Sequence, residues 1–245
     1  MPTTHSLVSL QESKEITFDL LWALFKPGAL VYTTCFGTRK PRCVIYGSGE
    51  EKISKSNVKY YEMECRYIDF DGEAFGDVSL NLAIPEFHGT NRINTLTAFP
   101  LKYHADEGGV RADLLKCGRK FISLIGTHHR YCCGKAFFMY EGDAILFPVN
   151  SRIMIDAAFF RKQNPNYSRP RITESVDWAP DCDGFYNLCD FQSEPDDQVQ
   201  SNGKRPEELK ENELLTCCPT VLGFSLSDKI WGKPLCSVLV FKLIY

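Results

Sequence analysis

The sequence lacks long apolar runs. Spanning a bilayer takes roughly 20 consecutive apolar residues. The longest candidate, the C-terminal PLCSVLVFKLIY, is interrupted by Lys242. No membrane association is therefore expected. The N-terminus, MPTTHSLVSLQESKE, has no basic start followed by an apolar core, so it carries no signal-peptide pattern. There is no basic excess either. Lys and Arg number 28 against 31 Asp and Glu, a formal charge of −3. A nucleic-acid binder usually shows a clearly basic domain, so no nucleic acid is expected as a partner.

Several catalytic signatures are also missing. No stretch fits the phosphate-binding loop G-x-x-x-x-G-K-[ST]. Gly134-Lys135 is followed by Ala136, Gly203-Lys204 by Arg205 and Gly232-Lys233 by Pro234, so none supplies the hydroxyl that would hold Mg²⁺. No Cys-x-x-Cys pair, nucleophile-elbow pattern or internal repeat is present. DFDGE (69–73) suggests a calcium loop at first sight. Position 12 counted from Asp69 is Leu80, where an EF-hand needs glutamate, so a hairpin turn is expected instead.

What the chain has is enough apolar material for a core: 44% of 245 residues, with 24% charged. It also has eleven cysteines. The number is odd and no secretion signal accompanies it, so reduced thiols packing as small hydrophobes are expected. The protein is expected to be intracellular, cytoplasmic or nuclear.

Periodicity predicts the elements. KEITFDLLWALFK (14–26) carries an apolar stripe at helical spacing, stopped by Pro27-Gly28. Strands are expected at 29–36 and 42–47. A hairpin follows, in which Tyr61, Met63, Cys65 and Tyr67 alternate with polar residues and Val78, Leu80, Leu82 and Ile84 do the same. Asp71-Gly72 between them favours a tight turn with positive φ. A helix is predicted over 110–125, although Gly118 sits inside it. Strands around 130–140 and 145–160 complete the core. The segment 161–205 is basic at first and then acidic; 206–215 reads as a short helix and 220–226 as a strand. The predicted organisation is a flexible N-terminus (1–13), a β-rich core domain (14–160), the basic-then-acidic loop (161–205), a helix-strand closing segment (206–231) and a divergent tail (232–245). The fold class is α+β and β-rich, with a mostly antiparallel sheet, barrel- or sandwich-like, and two or three short helices.

Two stretches are candidates for chemistry. GTHHRYCCGK (126–135) holds two histidines and two cysteines within six positions. Zinc would accept such ligands only in a tetrahedral array. On a strand, His128 and Cys132 share one face and His129 and Cys133 the other, so the four cannot converge. The candidate pair for a metal is His128 with Cys132, but no metal or other cofactor is expected. The basic loop RKQNPNYSRPR offers Arg161, Lys162, Asn164, Tyr167, Arg169 and Arg171 as candidates for contact with a protein partner; loops are where binding residues concentrate.

Several segments together, DLLWALFKPGALVYT, YYEMECRYIDFDGEAFG, CGRKFISLIGTHH with GKAFF, SRIMIDAAFFRKQNPNYSRP and LLTCCPTVLGFSLSDKIW, occur in this order over residues 14 to 231. As a set they resemble the conserved domain of unknown function that precedes the AAA+ ATPase module in filamentous-fungal proteins. After Trp231 the sequence GKPLCSVLVFKLIY departs from that pattern. The family has tyrosine or another polar residue where Cys132 and Cys133 stand, so the resemblance does not make these cysteines a shared site. It implies a non-catalytic accessory domain, truncated before the ATPase core, that recruits a substrate or adaptor or docks on the ATPase ring. No ATPase residue carries over, and no small-molecule ligand is assigned. The alternatives are a metal-dependent or thiol enzyme built on the Cys/His cluster, and a non-functional truncated product.

Overall fold

A computed structural model describes residues 10, 12–140, 143–163, 209–232 and 239–240. Along β4 (Lys59–Phe70), Tyr61, Met63 and Cys65 are buried while Glu64 and Arg66 are exposed. This period of two places one face on a core. Full burial of one such apolar side chain contributes roughly 1.5–3 kcal/mol. Together with β5 (Phe75–Pro85), β3 (Pro41–Ile53), β2 (Leu30–Thr34) and β7 (Phe99–Pro100), it forms a sheet ordered β5-β4-β3-β2-β7. A second sheet runs β11 (Ile230–Gly232), β10 (Gly223–Ser225), β9 (Asp143–Ile155), β8 (His128–Tyr140) and β12 (Leu239–Val240). A short pair, β1 (Glu15–Thr17) with β6 (Thr90–Arg92), stands apart. All of these strand pairs are antiparallel, as expected. Neither five-stranded order closes on itself among the described strands, so the barrel alternative gives way to two open sheets.

The β4–β5 hairpin is present in the predicted place, but its connection is longer than a two-residue turn. Phe70 pairs with Phe75, leaving Asp71 to Ala74 as the loop. Asp71 Oδ1 accepts the amides of Glu73 (2.8 Å) and Ala74 (2.9 Å). Gly72 alone takes a positive φ, +102°. The aspartate side chain, mimicking a backbone turn, replaces the second positive-φ residue.

The helices require more correction. The predicted helix over 14–26 is divided: β1 comes first, then a 3-10 turn at Phe18–Leu20, and only Leu21–Leu24 is α-helical (α1). Its apolar residues are buried all the same, Ile16, Leu20, Leu21 and Leu24 among them. The predicted helix over 110–125 begins earlier, as α2 (Glu107–Ile122), because Asp106 caps it by accepting the Gly109 amide at 2.9 Å. The strand expected to reach residue 160 stops at Ile155. Asp156 then opens α3 (Ala157–Gln163), accepting the Phe159 amide at 2.7 Å. The closing helix is α4 (Glu211–Leu215), shorter than the predicted 206–215; residues 206–208 lie outside the described set.

One core gathers Ile16, Phe18, Leu21, Val31, Tyr61, Met63 and Ile93 around the first sheet. A second is built jointly. Ile68 and Phe75 come from the first sheet, Phe121 and Leu124 from α2 and the residue pair that follows it, and Cys132, Val149, Ile153 and Ile155 from the second sheet.

The first sheet also contains a split. β3 and β4 pair from Ile53↔Lys59 as far as Ile45↔Arg66 and then part. Beside Ile68 the place of β3 is taken by residues 216–218. The Ile68 amide donates to the Thr216 carbonyl (3.1 Å), and the Cys218 amide donates to the Ile68 carbonyl (2.8 Å). The resulting Ile68↔Cys217 bridge is parallel. Backbone groups buried at the split thus find partners from a remote part of the chain.

Candidate functional site

The His/Cys stretch lies where strand alternation places it. Residues 128–133 form the first half of β8, paired with β9 from His128↔Ile155 to Cys133↔Asn150. Cys132 is fully buried and Cys133 exposed. His128 and Cys132 do share a face, but four residues on a strand span about 13 Å at ~3.3 Å per residue, too far for one tetrahedral ion. Both ring nitrogens of His128 are engaged. Nε2 lies 2.7 Å from the Ile125 carbonyl, and Nδ1 lies 3.0 Å from Arg130 Nη2. A carbonyl only accepts and a guanidinium only donates, so Nε2 carries the hydrogen and Nδ1 accepts. No lone pair is left for a metal. Among the described residues, no group of three or more His, Cys, Asp or Glu is placed to hold one. Burial pushes the Cys132 thiol up to about 11, the opposite of what an activated nucleophile requires.

Of the six contact candidates, Asn164, Tyr167, Arg169 and Arg171 lie outside the described residues. Lys162 is exposed on α3. Arg161 turns inward and is 15% exposed; its Nη2 meets Asp71 Oδ2 at 3.5 Å and its Nη1 meets Glu73 Oε1 at 3.4 Å. Its charge ties α3 to the β4–β5 loop.

Sequence reasoning did not single out Arg42. This residue sits on β3 at the split in the first sheet. Its guanidinium carbon lies 3.9 Å from the centre of the Tyr67 ring. Burial works against its charge, while Tyr67, Cys218 and Cys35 push the other way and leave its pKa above the ordinary value. The cation also helps ionise Cys65, where burial nevertheless dominates and pushes the thiol up to about 12. Nε and Nη2 of Arg42 are buried and have no hydrogen-bond partner among the described residues.

A surface feature was missed as well. Beyond the short pairings with β12 and β10, the described parts of β8 and β9 continue as a two-stranded ribbon. Phe138 faces Ile145 across it, and Phe137 faces Leu146. Phe137 is buried against Gly37 of the first-sheet side. Phe138 and Ile145, 37% and 41% exposed, share one face of the ribbon and form an apolar pair at the surface, while Leu146, 50% exposed, lies on the opposite face beside Phe137.

Comparison with known families decides one point. Residues 6–105 match the family of a domain of unknown function, DUF7025. No curated protein and no solved structure matches the chain. The DUF7025 segment covers the whole of the first sheet together with β1 and β6. Arg42, Tyr67, Cys35 and Cys65 fall inside it, whereas Cys218, the β8–β9 ribbon and Arg161 fall outside. Among the described residues, no helix is long and apolar enough to cross a membrane.

The ribbon and the arginine gave different amounts of signal in the sequence. AFFMY and ILF marked the ribbon as apolar, but strand alternation made both faces look suited to a core. Arg42 looked like an ordinary polar strand position, because a missing partner leaves no trace in the local sequence.

Proposed function

We propose that the chain is a non-catalytic accessory domain that docks on an AAA+ ATPase module or recruits its substrate or adaptor. The observation that carries this reading is the exposed apolar pair of Phe138 and Ile145 on one face of the β8–β9 ribbon. Large apolar side chains paired on one exposed face of a ribbon suit burial in a partner's groove, where such anchors supply most of the binding energy. The resemblance of residues 14–231 to domains that precede AAA+ modules supplies the partner class. The DUF7025 match over residues 6–105 is compatible with that setting. Cys132 is buried with a raised pKa and both nitrogens of His128 are engaged, which disfavours that pair as nucleophile and base or as metal ligands.

The test mixes the purified chain with a purified AAA+ module from the resembled group and follows complex formation by sedimentation velocity. A complex is expected with the native chain. It should be lost, or weakened at least tenfold, in a Phe138→Asp, Ile145→Asp double variant that retains its circular dichroism. Absence of any complex with the native chain would overturn the reading.

A further inference from the structure

Arg42 presents an unusual arrangement. One face of its guanidinium lies on the Tyr67 ring, at 3.9 Å. Its surroundings are thiols: Cys35 and Cys218 act on its charge, and it acts on that of Cys65. Thiols are weak acceptors and cannot balance a cation. No carboxylate among the described residues lies within ion-pair distance of it. The nearest carboxylate in the register is Asp69, which would stand across from Arg42 if the β3–β4 pairing continued past Arg66. The strands part before that point, and Asp69 Oδ1 accepts the Phe70 amide at 2.9 Å. Arg42 as a whole is half-buried, but its Nε and Nη2 are shielded from water and unpaired, which is costly for donors of a cation.

The two nitrogens without partners are informative. Nε and Nη2 lie on the same edge of the guanidinium. Their two N–H bonds run parallel and are spaced to meet two oxygens of one carboxylate, phosphate or sulfate group. The ring of Tyr67 covers the face and leaves this edge as the binding element. Arg42 sits where β3 leaves β4 and residues 216–218 fill in beside Ile68.

We infer that Arg42 is an oxoanion-binding residue, taking a phosphoryl or carboxylate group two oxygens at a time on its Nε–Nη2 edge. The site combines a cation to attract the group and a fork to orient it, with the thiols of Cys35 and Cys218 close enough to act on the cation. It shares no residue with the docking face of the β8–β9 ribbon and is independent of the docking proposal. Tyr67 acts as a positioning residue, because it fixes the plane of the guanidinium and hence the direction of the fork.

The experiment titrates the full chain with sodium phosphate, sodium sulfate, sodium acetate and sodium chloride at equal ionic strength, reading the melting temperature and, separately, heat by isothermal titration calorimetry. A saturable rise in melting temperature with at least one oxoanion, beyond that of chloride, is expected. Saturation by phosphate or sulfate but not acetate assigns a phosphoryl ligand, and the reverse assigns a carboxylate. Arg42→Met should abolish the saturable part. Arg42→Lys keeps the charge without the fork and should weaken binding at least tenfold. Arg92→Met, at an exposed position, should leave it unchanged. If no oxoanion stabilises the native chain more than chloride does, or if Arg42→Lys binds as tightly as the native chain, the inference fails. The native-chain titration decides the matter even if Arg42→Met does not fold.

Discussion

Gly118, in the middle of α2, lies directly beneath the main-chain carbonyl of Leu214 in α4. A β-carbon built on Gly118 would fall 2.1 Å from that oxygen. Glycine inside a helix normally costs about 1 kcal/mol relative to alanine. Here the cost is offset by the close approach of the closing helix.

Gly118→Ala is therefore expected to destabilise the protein by about 2–3 kcal/mol, since overpacking against backbone cannot be relieved by a rotamer change. Gly108→Ala, in the same helix with open space around it, should instead be neutral or stabilising by up to about 1 kcal/mol. Urea unfolding of the two variants checks the contrast. Equal effects would show that α4 does not hold its place on α2.

Arg161 provides a second test. Its pairs with Asp71 and Glu73 join α3 to the loop between β4 and β5. Removal leaves the half-buried Asp71 short of a partner, so Arg161→Ala should lower stability by about 1–2 kcal/mol. Lys162→Ala, one residue away and exposed, should stay within about 0.5 kcal/mol. If both variants prove neutral, Arg161 is available as a surface contact and the tie is incidental.

Neighbouring cysteines on β8 should differ sharply in reactivity. Cys133 is exposed, whereas Cys132 is buried and raised to about 11. Brief treatment of the folded protein with N-ethylmaleimide at pH 7, followed by peptide mass spectrometry, should label Cys133 and spare Cys132 by at least tenfold. Comparable labelling of the two would place Cys132 in an open, reactive setting.

Burial also sets an alkaline limit. Cys43 and Cys65 are pushed up to about 12, chiefly by burial, from an ordinary 9.0. The folded state therefore keeps these protons longer than the unfolded chain does. Stability from this source is complete below pH 9 and is lost as pH rises towards 12. Each group contributes on the order of 1–3 kcal/mol by pH 11, at ~1.4 kcal/mol per unit of pKa difference. The urea midpoint should hold from pH 7 to 8.5 and fall from pH 9 to 11, with a shallower fall in the Cys43→Ala, Cys65→Ala double variant. An unchanged slope in that variant would remove these thiols as the cause.

Local periodicity disclosed the paired strands best. Tyr61, Met63 and Cys65 alternate with Glu62, Glu64 and Arg66, and the β4–β5 hairpin follows directly. The same rule placed Cys132 and Cys133 on opposite faces. Local signals of other kinds were present and were outweighed. Asp106 capped α2 four residues before the expected start, and Asp156 followed by Ala157-Ala158 marked a helix start inside an apolar run. The apolar spacing of 14–26 fits a 3-10 turn and a short α-turn as well as one helix, so burial came out right where the element did not. The docking of Thr216–Cys218 beside Ile68 and the lack of a partner for Arg42 depend on residues distant in sequence. No window of neighbouring residues carries that information, which is why the candidate oxoanion site emerged only from the fold.

The Ile68–Cys217 bridge has a temporal consequence. Its two residues are about 150 positions apart, so closing it carries the entropy of a very long loop. During synthesis at ~5–20 residues per second, the strands of the first sheet leave the ribosome some 7–30 s before the segment that completes them. Through that interval the Ile68 amide and carbonyl must be met by water, and Arg42 stands at an unfilled seam. The sheet reaches its final form last at the point where Arg42 sits.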